Sequence, residues 1–80
     1  MKHILPSRVT SRITIEEATG PGSTTDGVIS VSLTVTGNGP VLIEEVPFYP
    51  GEQIELLDQG PYYSVSYDAT GSKLRIIEVN

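Results

Sequence analysis

Apolar and polar residues alternate with a period of two along much of this chain. The clearest run interleaves Ile29, Val31, Leu33 and Val35 with Ser30, Ser32, Thr34 and Thr36. That rhythm puts the two sets on opposite faces of an extended strand, one buried and one wet. An earlier run over residues 8–18 sets Val9, Ser11, Ile13 and Ile15 against Thr10, Arg12, Thr14 and Glu16, and it predicts a strand of the same kind. A third strand is expected over residues 40–47, PVLIEEVP. Its alternation is imperfect, with Val41, Ile43 and Glu45 on one face and Leu42, Glu44 and Val46 on the other; a bulge or a partner on both faces would account for this.

The second half of the chain continues in the same style. A fourth strand is expected at 52–58, with Ile54 and Leu56 facing the core, and a fifth at 62–67, with Tyr63, Val65 and Tyr67 on one side. The sixth, 72–79, alternates Leu74 and Ile76 with Lys73 and Arg75; Ile77 and Val79 then break the parity, which predicts a bulge or burial on both sides. Residues 2–5 could add a short seventh strand. No stretch free of Gly and Pro carries helical i, i+3, i+4, i+7 spacing.

The breaks between these runs have turn chemistry. Thr36-Gly37-Asn38-Gly39-Pro40 predicts a hairpin joining the second and third strands. Tyr49-Pro50-Gly51-Glu52 fits a type II turn, with Pro and Gly at its two central positions. Asp58-Gln59-Gly60-Pro61 and Asp68-Ala69-Thr70-Gly71 close the fourth and fifth strands. Residues 19–27, TGPGSTTDG, form the one long connection and are expected to be a mobile loop. The expectation is a single all-β domain over residues 1–80: a six- to seven-stranded, mostly antiparallel β-sandwich, with a small β-barrel as the alternative and residues 1–7 as an N-terminal arm.

Composition agrees with this picture. Of 80 residues, 8 are Val, 8 Ile and 6 Leu, so most of the aliphatic side chains are β-branched and suit a pleated sheet. A chain of this size buries roughly 60% of its unfolded surface, enough for one core. There are no cysteines, which excludes disulfides and thiolate metal sites.

Charge narrows the list of partners. The net charge is −5, and no Lys or Arg lies between Arg12 and Lys73, where nine carboxylates fall. Phosphate backbones are held by clustered cations, so nucleic acid is not an expected partner. No run approaches the length of a membrane span or a leader peptide; no membrane partner is expected, and the expected location is cytoplasmic or virion-associated.

The residues for catalysis are also lacking. The only histidine is His3, so no Ser-His arrangement is built around the serines. Glu16-Glu17 and Glu44-Glu45 are sequence neighbours, which a regular strand would send to opposite faces rather than to the two sides of a cleft. Neither a calcium-loop spacing nor a phosphate-binding glycine pattern occurs. No catalytic residue, cofactor site or metal site is therefore expected, and the chain reads as a non-enzyme.

What remains is surface. Phe48, Tyr49, Tyr62, Tyr63 and Tyr67 all fall between residues 48 and 67. Parity assigns Phe48, Tyr63 and Tyr67 to the core and leaves Tyr49 and Tyr62 outside, where tyrosine is a good contact residue. With Leu57, Leu42 and Ile77 they make an expected interaction surface. The loop residues Gly20, Ser23, Thr24, Thr25 and Asp26 are a second candidate contact, and Glu44, Glu45, Glu52, Glu55 and Asp58 a candidate acidic patch. The expected role is a structural or interaction protein docking on itself or on a larger assembly, such as a capsid- or tail-associated virion subunit. Two alternatives are a carbohydrate-type module, with Tyr49 and Tyr62 beside Gln59 or Asp58, and an acidic regulator that covers a basic partner.

Overall fold

The computed structural model of the protein describes residues 12–57 and 60–80. These form eight strands: β1 (Ile13–Ala18), β2 (Pro21–Ser23), β3 (Ser30–Val35), β4 (Val41–Ile43), β5 (Val46–Phe48), β6 (Gln53–Leu56), β7 (Ser66–Asp68) and β8 (Leu74–Val79). They make two antiparallel sheets, ordered β1-β8-β3-β6 and β2-β7-β4-β5, packed as a sandwich. No helix of the described residues is long and apolar enough to cross a membrane. The expected strand at 2–5, the arm at 1–7, and the start of the 8–18 strand lie outside the described residues.

The clearest alternation in the sequence makes the inner face of the first sheet. Val31, Leu33 and Val35 of β3 are buried and stand beside Glu78, Ile76 and Leu74 of β8. Ile54 and Leu56 of β6 extend this face on the other side, half-buried as the fourth expected strand requires. The second sheet answers with Val41 and Ile43 of β4, while Val28 and Ala69 close the layer from the loops.

The expected hairpin at residues 36–40 is not one. β3 pairs with β6 and β8, whereas β4 lies in the other sheet, so residues 36–40 carry the chain across the sandwich. The 69–73 connection makes a similar crossing, and the two lean on each other. The amides of Thr36 and Gly37 donate to the Lys73 carbonyl at 3.0 and 3.2 Å, and the Ser72 hydroxyl donates to the Gly39 carbonyl at 2.6 Å. Glycine and asparagine mark a turn, but the sheet in which each flanking strand buries its apolar side decides whether the turn closes a hairpin.

The third expected strand is two strands. β4 and β5 pair through Val41–Phe48 and Ile43–Val46, with Glu44-Glu45 as the two-residue turn between them. Both glutamates have positive φ, 51° and 67°, as a type I′ hairpin turn demands. This explains the broken parity of PVLIEEVP without a bulge. The unusual residue choice at the first position has a local reason. The Glu44 amide donates to the Ser66 carbonyl at 2.9 Å, and the Ser66 amide donates to Glu44 Oε2 at 2.8 Å. The carboxylate thus stands in for a ladder carbonyl where β4 turns away from β7.

The other departures are similar in kind. Residues 19–27, expected as one loop, contain β2, which pairs with β7. The fifth strand shortens to Ser66–Asp68, with Tyr62 joined separately to Val28 by an isolated bridge. At the start of β3 the Ile29 amide donates to the Val79 carbonyl although Val79 pairs with Ser30. Two residues therefore face one, and the alternation fails there: Ile29 is exposed and Ser30 buried. On β8, Ile77 and Val79 sit on the outer face in regular register, and the break in parity comes from Glu78, which points inward. The Tyr49–Glu52 turn is as expected, with Gly51 at φ 92° and a 2.9 Å bond from the Glu52 amide to the Tyr49 carbonyl.

Left-handed backbone costs a residue with a Cβ roughly 1–2 kcal/mol. Replacing Glu45 by Gly should stabilise the fold by about 1 kcal/mol and raise the melting temperature by roughly 4–8 °C. Glu44→Gly relieves the same backbone but strands the Ser66 amide, so its gain should vanish or reverse. Thermal melts of the two variants side by side test this.

Candidate interaction face

β1 is an edge strand whose polarity is the reverse of what its sequence suggests. Its register against β8 places Thr14, Glu16 and Ala18 beside Glu78, Ile76 and Leu74, on the side that looks into the sandwich. Ile13 and Ile15 therefore point out, at 67% and 66% exposure. Only Ala18 of this strand packs against the core. The expectation that Ile13 and Ile15 form a buried face is thus overturned: the second sheet does not extend far enough to cover β1.

Neighbouring strands enlarge this outer face. Val79 lies between Ile13 and Ser30, and Ile77 lies between Ile15 and Ser32. Both are half-buried, and the small serines leave their flanks open. One step further along, Glu17, Arg75, Thr34 and Gln53 form a polar row. Hydrogen bonds hold that row: Thr34 Oγ1 donates to Gln53 Oε1 at 3.2 Å and Thr36 Oγ1 to Glu17 Oε2 at 3.4 Å. The result is an apolar strip, Ile13, Ile15, Ile77 and Val79, with a charged border.

The residues expected to share one interaction surface are distributed over several. Ile77 lies in the strip, and Leu57, half-exposed, follows β6 on the same sheet. Leu42 is on the outer face of the other sheet, paired with Pro47 and Asp68. Tyr49 sits in the β5–β6 turn near Val35, whereas Tyr62 bridges Val28 near the opposite end of β3. Seven residue steps of mostly extended chain, from Val28 to Val35, separate those ends, about 23 Å, so Tyr49 and Tyr62 share no platform. Nor does parity hold for the tyrosines: Tyr63, expected in the core, is 88% exposed, and Tyr62 is half-buried. The backbone between the Tyr62 bridge and β7 is irregular, which resets the phase.

The expected contact loop is tied down internally. Thr24 exchanges bonds with Val65, its amide donating at 2.9 Å and its hydroxyl accepting at 2.8 Å. Gly20 accepts from the Ala69 amide at 3.0 Å, Ser23 pairs with Ser66 in the β2–β7 ladder, and Asp26 Oδ1 accepts the Ser64 amide at 3.2 Å. Thr25 donates twice to Glu78, from its amide at 2.7 Å and its hydroxyl at 2.9 Å. Glu78 is thus a buried carboxylate that anchors the loop. The acidic patch is also dispersed. Glu44 and Glu45 are in one turn, Glu52 accepts the Tyr49 amide at 2.8 Å in another, and Glu55 is on β6; Asp58 lies outside the described residues.

Two of the surface's concave features bear on binding. An apolar cleft of about 310 Å³ opens between the β5 and β6 edges, lined by Leu33, Ile43, Val46, Phe48, Ile54 and Leu56. A smaller hollow of about 270 Å³ lies among Asp26, Gly27, Pro61, Tyr62 and Tyr63. No three His, Cys, Asp or Glu side chains are grouped to hold a metal ion among the described residues.

No family model, curated protein or solved structure matches the chain.

Ile13, Ile15 and Val79 were not identifiable as surface residues from the sequence. Alternation separates two faces but does not say which one the rest of the chain will cover.

Between the sheets, Tyr67 packs on the core and crosses Gly22, where a Cβ would stand 2.7 Å from its hydroxyl. Burial raises the ionisation of its phenol above the usual value of 10.0, and the nearby carboxylates Glu16 and Glu78 raise it further. The unfolded chain therefore releases this proton first. The contribution to stability is fully present below pH 10 and is lost as pH rises through the folded value. Denaturant midpoints should fall between pH 9 and pH 11, and fall less in Tyr67→Phe.

Proposed function

We propose that this protein is a non-enzymatic docking module that acts by association with itself or with a larger assembly. The observation that carries the reading is the reversed polarity of β1, which presents Ile13 and Ile15 to solvent beside Ile77 and Val79. Contiguous apolar side chains ringed by polar ones are the usual signature of an interaction site. Small size and a docking face together suit an accessory subunit of the capsid- or tail-associated kind, and we assign the protein to that class.

The test is solution mass by light scattering from micromolar to millimolar concentration. The wild type should associate, and the Ile13→Ser/Ile15→Ser variant should remain monomeric with an unchanged melting temperature in dilute solution, because neither side chain contributes to the core. A wild type that stays monomeric throughout and binds a hydrophobic dye no better than the variant would refute the proposal.

A second reading rests on the hollow at Tyr62 and Tyr63. Two tyrosines beside Asp26, which has one carboxylate oxygen engaged by Ser64, suit a carbohydrate-type ligand. Oligosaccharides should then change the tyrosine fluorescence of the wild type and not of Tyr63→Ser. Silence across a glycan series rules the reading out.

A further inference from the structure

We infer that the partner for β1 is the β1 of a second copy, paired antiparallel about a two-fold axis so that Thr14 meets Thr14, Ile13 meets Ile15, and Arg12 meets Glu16. This deepens the docking reading and rests on it. Four observations lead to this one occupant.

The first is the state of the edges. An exposed sheet edge is a template for another strand unless it is short, charged or interrupted by proline. Three of the four edges here are blunted. β2 has three residues and begins with Pro21, β5 has three with Pro47 at its centre, and β6 has only four. β1 is the longest edge, with six residues and no proline, and its two charges, Glu16 and Glu17, lie towards one end. Among the described residues no strand lies beyond it.

The second is the direction of its hydrogen-bonding groups. Arg12 and Asn80 exchange both backbone bonds, at 2.7 and 2.8 Å. In an antiparallel ladder such pairs alternate with pairs that exchange none. Thr14, Glu16 and Ala18 therefore bond β8, and the N–H and C=O groups of Ile13, Ile15 and Glu17 point to the open side. Those groups can serve a second β1 without disturbing the existing sheet.

The third is symmetry. A two-fold axis normal to the sheet keeps each face on its own side, so even-numbered residues must meet even and odd must meet odd. Centring on Thr14 makes Ile13 and Ile15 the hydrogen-bonded pair, twice over, and brings four isoleucines into one cluster on the outer face. Shifting the centre to Ile15 would instead place Ile13 against Glu17. The interface is then isologous, each contact occurring twice.

The fourth is charge. Centring on Thr14 sets Arg12 of each copy opposite Glu16 of the other, on the close, non-hydrogen-bonded positions where side chains interact most. A chain with a single run of like charge on its edge would repel its copy. This edge is self-complementary.

The chain has no cysteine, so single cysteines report cleanly. Across the axis the two Thr14 Cα atoms would stand about 4.5 Å apart, within disulfide range. Under mild oxidation Thr14→Cys should form a disulfide-linked dimer and Ile15→Cys should not. By light scattering, Arg12→Glu and Glu16→Arg should each weaken association by about tenfold, and the double variant should restore it. Linking through Ile15→Cys alone would overturn the register. A protein that associates but shows no Thr14→Cys link and no response to the charge reversals would overturn the edge pairing while leaving the docking face intact. A wild type that is monomeric at millimolar concentration would overturn the pairing, and would overturn the docking reading as well if it also binds a hydrophobic dye no better than Ile13→Ser/Ile15→Ser.

Discussion

The apolar layer between the two sheets is what every other feature of this molecule must accommodate. Val31, Leu33 and Val35 of β3 and Leu74 and Ile76 of β8 meet Val41 and Ile43 of β4, and all seven side chains are nearly or wholly removed from water. Among the described strands, six of the seven connections cross the sandwich and only β4–β5 folds back as a hairpin. The crossings at 36–40 and 69–73 are braced against each other because each alone would leave backbone groups at the end of the core without partners.

Polar groups inside this layer are few and engaged. Glu78 replaces what alternation would make an apolar position on β8, and it receives both donors of Thr25. A buried carboxylate without donors would cost several kcal/mol; here it fastens the segment between β2 and β3 to the central strand. Tyr67 reaches over Gly22 toward the same region, and that crossing requires the smallest residue beneath it. The loop that looked most available for outside contacts is, in consequence, one of the more heavily bonded parts of the surface.

The same layer is too small to cover everything it generates. On one flank the inner residues of β5 and β6 remain open as an apolar cleft. On the other, β1 extends past the second sheet, and its polar residues occupy the inward side that the sheet leaves wet. The isoleucines that would ordinarily be the buried half of such a strand face outward. An eighty-residue chain has little core to spare, and an apolar strip is left exposed.

Local alternation made the strand positions legible: β3, β6 and β8 stand where Val31–Val35, Ile54–Leu56 and Leu74–Ile76 place them, and the class of fold follows from those runs. The turn at Tyr49–Glu52 was equally readable, since Pro and Gly restrict the backbone on their own. The Glu44-Glu45 turn was not, because neither residue favours positive φ and the reason for the first lies in Ser66, distant in sequence. The candidate site was read only in part: Ile77 was placed on the face opposite the core, but Ile13 and Ile15 were placed with the buried set. By itself, then, the sequence determined that strands form and which residues share a face, because side-chain direction in an extended chain repeats every two residues. Only the tertiary structure decided which face is inside and which strands are neighbours, because those depend on how far each sheet reaches over the other.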